Sequence, residues 1–154
     1  MTKLILSGCL GRMGRVITSL CENNEQLTIV AGIDPVGSAA ALPYPVFSTP
    51  EECRVEADVM VDFSAPAALG ALLSCAKARS LPLVLASTGY SSEQLEQIDA
   101  AAKLVPIFRS ANLSLGVNLL LELTRRAAQV LGEDFDSLSI RPFLLSKRAP
   151  DPVV

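Results

Sequence analysis

The chain has 154 residues, half of them apolar, with 13 Lys and Arg against 16 Asp and Glu and no histidine. That length suits one domain able to bury a core, and the apolar content argues against disorder. The missing histidine excludes a Ser-His-Asp triad, a histidine metal site and imidazole acid–base chemistry. No catalytic side chain is therefore assigned, and no metal is expected. The net charge of -3 offers no basic patch for nucleic acid. No apolar run reaches the roughly 18 residues of a membrane span. Met1-Thr2-Lys3 runs straight into Leu4-Ile5-Leu6, which is not the layout of a secretion signal. Cys9, Cys21, Cys53 and Cys75 form no CxxC pair and read as small buried hydrophobes in a reducing cytoplasm.

In chain order, Lys3 to Ser7 reads as a buried strand, and Arg12 to Glu22 as a helix with Val16, Ile17 and Leu20 on one apolar face. Leu27 to Asp34 is a second strand. Residues 36 to 48, broken by Pro43 and Pro45, read as loop. Thr49-Pro50-Glu51-Glu52 carries a cap, a proline at the first helical position and first-turn acids, so a helix is predicted to start there. Asp58 to Phe63 is a third strand and Pro66 to Arg79 an Ala- and Leu-rich helix. Leu83 to Ala86 is a fourth strand, followed by a helix opened by the capping box Ser91-Ser92-Glu93-Gln94. Val105 to Phe108 is a fifth strand, and Leu115 to Leu131 a long helix stopped at Gly132. The strands are continuous apolar runs, as expected where helices cover both faces of a parallel sheet. The fold class is α/β, a doubly wound, mostly parallel sheet in a three-layer αβα arrangement. Ligands of such sheets sit at the carboxyl ends of the strands.

Those ends carry the chemistry. The first strand runs into Gly8-Cys9-Leu10-Gly11-Arg12-Met13-Gly14, a G-x-x-G-x-x-G variant of the Rossmann-like dinucleotide fingerprint. Glycines let the backbone turn tightly and approach a pyrophosphate, and the following helix aims its amides and positive dipole end at that anion. Arg12 can add a charge-assisted contact. Asp34 closes the second strand twenty residues after Gly14, where a carboxylate accepts from an adenosine ribose. No Lys or Arg lies between Arg15 and Arg54. A 2'-phosphate beside Asp34 would meet repulsion without a local cation, so NADH is preferred over NADPH, with NADPH possible. Phe63 and Ser64 stand at the end of the third strand, Phe63 as a further candidate cofactor contact, and Asp62 before them reads as a structural cap of nearby amides. Ala86-Ser87-Thr88-Gly89-Tyr90 ends the fourth strand with small residues and hydroxyls suited to a nicotinamide ribose or carboxamide. Phe108-Arg109-Ser110-Ala111-Asn112-Leu113 follows the fifth.

G-C-L-G-R-M-G, V-D-F-S-A-P, S-T-G-Y and S-A-N-L-S-L-G-V-N, in this order, resemble the 4-hydroxy-tetrahydrodipicolinate (dihydrodipicolinate) reductases of lysine biosynthesis, over residues 1 to about 136. The resemblance implies a cytoplasmic oxidoreductase of the diaminopimelate route that reduces a cyclic imine-like small molecule with NADH or NADPH. It implies cofactor contacts at Gly8, Cys9, Leu10, Gly11, Arg12, Met13, Asp34, Ala86, Ser87, Thr88, Ser110, Ala111, Asn112 and Leu113. Ala86 stands where the family usually has glycine. Pro35 stands where NADPH users often have arginine.

Residues 1–136 thus read as a dinucleotide-binding domain, and 137–154 as an atypical tail in place of the family's substrate domain. That domain opens on H-H-x-x-K-x-D-A-P-S-G-T, supplies the protonating residues and the substrate clamp, and forms the family's tetramer. Here Phe143 and Leu144 fall on the histidine positions, Lys147 falls on the lysine and the S-G-T clamp is missing. The expectation is a cofactor-binding chain that is weakly active or inactive alone, of open oligomeric state, with a dinucleotide and the family's small-molecule substrate as partners and neither nucleic acid nor membrane. A non-catalytic NAD(H)-binding sensor or partner module is the alternative. A different Rossmann enzyme whose other half is a separate polypeptide is a third reading.

Overall fold

The computed structural model describes residues 1–37, 42–110 and 119–126. Residues Met1–Ser110 form one compact unit. Its elements run β1 (Thr2–Ser7), α1 (Arg12–Glu22), β2 (Leu27–Ile33), β3 (Val46–Phe47), β4 (Val59–Asp62), a 3-10 turn (Pro66–Ala68), α2 (Leu69–Arg79), β5 (Leu83–Leu85), α3 (Ser92–Ala102) and β6 (Ile107–Arg109). Among the described residues six strands make one sheet in the order β3-β2-β1-β4-β5-β6. Every pairing is parallel. The chain winds outward from β1 in one direction to β3, then returns and winds outward to β6, so the order reverses between β1 and β4. This is the doubly wound α/β arrangement expected, and it places every strand's carboxyl end on one edge.

Burial on both faces explains the unbroken apolar runs. Along β1, Leu4 and Leu6 join Ile17 and Cys21 of α1 on one face. Ile5 between them joins Leu69, Leu72, Leu73 and Ile98 of α2 and α3 on the other. Met60 and its neighbours Val59 and Val61 divide between the two faces in the same alternation. Cys9, Cys53 and Cys75 are buried, Cys21 is partly so, and all four are free thiols. Among the described residues no helix is long and apolar enough to cross a membrane.

Two local readings need correction. The 36–48 segment is not all loop: Val46 and Phe47 add an edge strand, with the Gly32 and Asp34 amides donating to Pro45 and Phe47 carbonyls at 2.9 Å each. Thr49-Pro50-Glu51-Glu52 makes a turn and not a helix. Glu52 spends its carboxylate on the Ser48 amide at 3.1 Å. Cys53 is drawn into the core, and the Arg79 guanidinium holds the Cys53 and Val55 carbonyls at 2.9 and 2.5 Å, which ties this stretch to the end of α2. Helix α1 is rotated so that its apolar face is only partly buried. Gly14 and Thr18 are buried, while Val16 and Leu20 are 50% and 68% exposed. The close approach of Gly14 to the preceding loop fixes that rotation. One turn on, the Thr18 hydroxyl donates to the Gly14 carbonyl at 2.9 Å and so accepts from the Tyr44 hydroxyl at 2.6 Å. Residues 119–126 are helical, within the long helix expected over 115 to 131; the remainder of that helix and the 137–154 tail lie outside the described residues.

The capping box at α3 is present in both halves: Ser91 Oγ accepts from the Gln94 amide at 3.3 Å, and Gln94 Oε1 accepts from the Ser91 amide at 3.0 Å. Ser91→Ala is expected to cost about 1 kcal/mol, read as a melting temperature lowered by a few degrees; an unchanged melting curve would show that the cap carries no stability.

Candidate functional site

The candidate site lies on the carboxyl edge of the sheet, where the strand order reverses between β1 and β4. Gly8 follows β1 with φ +76°, a left-handed backbone that other residues enter at a cost. Its amide donates to the Ile33 carbonyl at 2.8 Å, tying the loop to β2. A Cβ on Gly8 would lie 2.8 Å from the Phe63 carbonyl carbon and the Ser64 nitrogen. Glycine is thus what lets the loops after β1 and β4 touch backbone to backbone. Gly11 caps α1 without any side-chain hydrogen bond. The first-turn amides of an α-helix have no partner inside the helix, and here no capping side chain takes them. A Cβ on Gly14 would fall 2.3 Å from the Gly8 carbonyl oxygen and 2.5 Å from that of Cys9. The helix is therefore pressed onto its own glycine loop. Gly11, Arg12 and Met13 are exposed at this end, and the Arg15 Nε donates to the Leu10 carbonyl at 3.2 Å.

Cys9 is fully buried, and burial followed by the nearby Asp34 charge pushes its thiol up to about 11. It stays protonated and unreactive near neutrality, so its place in the loop is packing. Gly32 makes room for it: a Cβ there would meet Cys9 Sγ at 2.6 Å.

Asp34 follows β2 and is buried to 7% exposure. One carboxylate oxygen accepts from the Leu10 amide at 3.1 Å and the other from the Val36 amide at 3.2 Å. The acid thus bridges the glycine loop and the turn after β2. Two lone pairs per oxygen leave each one further acceptor position. Phe63 is half-buried behind the glycine loop in the α1-side core. Across β4, Ala86 is half-buried, Ser87 is buried and Thr88 is exposed. The Ser110 amide donates to the Leu85 carbonyl at 3.3 Å, which places Ser110 on the same edge. Ala111, Asn112 and Leu113 lie outside the described residues. Gly8 to Met13, Asp34, Phe63, Ala86 to Thr88 and Ser110 therefore all stand on the carboxyl edge of one sheet, spread over β1, β2, β4, β5 and β6.

Residues 2–113 match the family model described as dihydrodipicolinate reductase, N-terminus. The chain belongs to the dihydrodipicolinate reductase family. A relative from Clostridium novyi, a 4-hydroxy-tetrahydrodipicolinate reductase, is 50% identical over 88% of this chain and 54% of its own. The chain thus spans about half the length of the curated relatives it matches. In fold it is similar to the dipicolinate-bound dihydrodipicolinate reductase from Paenisporosarcina sp. TG-14, with a TM-score of 0.71 at 23% identity, covering 83% of this chain and 54% of that one. It is also similar to the WlbA dehydrogenase from Chromobacterium violaceum solved with NADH and UDP-GlcNAcA, at TM-score 0.65 and 18% identity, covering 83% of this chain and 39% of that one.

Two features of this family member's site escape a reading by motif. Asp62 does cap an amide, that of Ser64 at 3.0 Å, but it also binds the hydroxyls of Ser64 and Ser87 at 2.5 and 2.8 Å. Ser87 is 25 residues away in sequence, so no local spacing signals the pair. Tyr90 buries its hydroxyl close to Ser87 and Asp62. Burial first, then the Asp62 charge, pushes that phenol up to about 12.

Gly14→Ala is expected to lower stability by about 1–3 kcal/mol, because backbone atoms and not a flexible side chain oppose the new methyl. Gly70→Ala on α2, where nothing lies within 4 Å, is expected to leave the melting temperature unchanged or raised. Equal effects of the two substitutions would contradict the close-packed reading of the glycine loop.

Proposed function

We propose that this chain is the cofactor half of an NADH-dependent reductase of the lysine and diaminopimelate route, acting on 4-hydroxy-tetrahydrodipicolinate. The observation that carries the reading is the glycine loop. It is pressed against two neighbouring backbones, opens onto uncapped first-turn amides, and is fastened by Asp34 at the strand-order reversal. Uncapped amides at a helix start suit a diphosphate, and the missing Cβ atoms leave its approach clear. The residues present therefore fit a dinucleotide. Gly8 to Met13 would hold the diphosphate, and Asp34 the adenosine ribose. Ala86 to Thr88 would hold the nicotinamide end, and the family resemblance adds Ser110, Ala111, Asn112 and Leu113 as cofactor contacts. Family membership and the likeness in fold to an NADH-bound dehydrogenase support this assignment.

The preference for NADH rests on charge. Asp34 already holds two amides, and the chain from Val16 to Cys53 brings no Lys or Arg to its side. A ribose hydroxyl donates to such a carboxylate, whereas a 2'-phosphate opposes it. When bound, the reduced nicotinamide supplies hydride, and the protein's part is to position and polarise. These 154 residues contain no histidine and no S-G-T clamp, so the groups that orient and protonate a substrate in the family are not among them. Positioning supplies much of the barrier lowering, and turnover by this chain alone is expected to be slow. A cytoplasmic setting accords with the free thiols and the family's biosynthetic role.

NADH at millimolar concentration is expected to raise the melting temperature, and NADPH to raise it less. A tenfold difference in Kd corresponds to about 1.4 kcal/mol at saturating ligand. Failure of both dinucleotides to shift the transition would refute the cofactor reading. A larger shift with NADPH would refute the role given to Asp34. Rapid oxidation of NADH by the chain with the family substrate would refute its dependence on further residues.

A further inference from the structure

Asp62 is the last residue of β4 and has no exposed surface. A buried carboxylate is tolerated where hydrogen bonds replace its lost water. Its partners come from two separate loops. One oxygen takes the Ser64 amide and hydroxyl, and the other takes the Ser87 hydroxyl. The Asp62 main-chain carbonyl also accepts from the Ala86 amide at 3.0 Å. The acid thus joins the ends of β4 and β5 by side chain and by backbone.

This join has a chemical consequence for the crevice. A serine hydroxyl carries one proton, and Ser64 and Ser87 both commit theirs to the carboxylate. What each retains for a ligand is lone pairs. A phosphate brought to this edge would find acceptors with a carboxylate behind them, and a neutral donor would find the pairing it needs. The glycine loop at the end of β1 has the opposite polarity, presenting amides.

We propose that Asp62 is a positioning residue that orients the nicotinamide end of the dinucleotide: by holding the protons of Ser64 and Ser87 it makes the β4–β5 edge an acceptor surface that takes the carboxamide NH2. The proposal rests on the cofactor reading above and adds to it a residue without direct ligand contact and a polarity for the contact made by Ser87.

The test is equilibrium binding by the full chain of three probes. NADH carries the carboxamide. The reduced 3-acetylpyridine analogue replaces its NH2 with a methyl group, and ADP-ribose lacks the nicotinamide altogether. Wild type is expected to bind NADH about five- to tenfold more tightly than the analogue, the worth of one neutral hydrogen bond. Ser87→Ala, which leaves Asp62 paired with Ser64, is expected to abolish that preference and leave the Kd for ADP-ribose unchanged. Asp62→Asn is expected to weaken NADH by a similar factor, again sparing ADP-ribose. Parallel losses for NADH and ADP-ribose in either variant would show a merely structural role and overturn the proposal. So would a preference for NADH over the analogue that survives in Ser87→Ala. Tight wild-type binding of ADP-ribose with no preference between NADH and the analogue would overturn the proposal while sparing the adenosine side of the cofactor reading. Failure of wild type to bind any probe would overturn both.

Discussion

The structure depends on one steric constraint: the backbone at Gly8 runs so close to that of Phe63 and Ser64 that no Cβ fits between them. Beyond β1 the chain must turn at once, with positive φ, and α1 must start against its own loop with Gly14 facing inward. That contact fixes the helix rotation, which in turn buries Thr18, leaves Val16 and Leu20 outside, and puts uncapped amides at the crevice. Van der Waals exclusion here sets geometry more sharply than any single hydrogen bond, because backbone cannot step aside as a long side chain can.

On either side of β1 stands one buried carboxylate. Asp34 ends the β2 side and Asp62 the β4 side, and each is kept by donors from its own and another loop. Their partners differ in kind. Asp34 takes amides from the glycine loop and the following turn, so it fastens the phosphate-side loop and keeps acceptor capacity. Asp62 takes two hydroxyls and so alters what those hydroxyls offer. In the proposed account the two acids divide the work along the ligand, the first selecting the adenosine ribose and the second setting the polarity at the nicotinamide end.

Much of this was legible in the residues, for reasons that differ by element. Strands covered on both faces leave unbroken apolar runs, so β1, β2, β4 and β5 were visible, as was the capping box of α3. The glycine triplet was legible because steric need at fixed spacing leaves few alternatives. Edge strand β3 was not legible: two residues between prolines carry no periodicity, and pairing with β2 alone defines them. Thr49 to Glu52 carried helix-start signals that serve a turn equally well, and the Arg79 clamp that decides between them comes from α2. On α1 apolar spacing marks the face of Val16 and Leu20, whereas the glycine contact, invisible to that spacing, decides the rotation. The Asp62 cluster joins residues 25 apart through space, beyond the reach of any local pattern.

The most direct measurement of the central claim, that the ligand crevice is the carboxyl edge organised by the Gly8 contact, is amide hydrogen exchange of the chain with and without NADH. The account predicts slowed exchange in peptides covering Gly8 to Gly14, Asp34 to Val36 and Ser64 with Ala86 to Thr88. It predicts unchanged exchange at the opposite edge of the sheet, at Gln26 to Thr28 and Leu81 to Leu83. Protection concentrated at that opposite edge, or spread evenly over both, would contradict it.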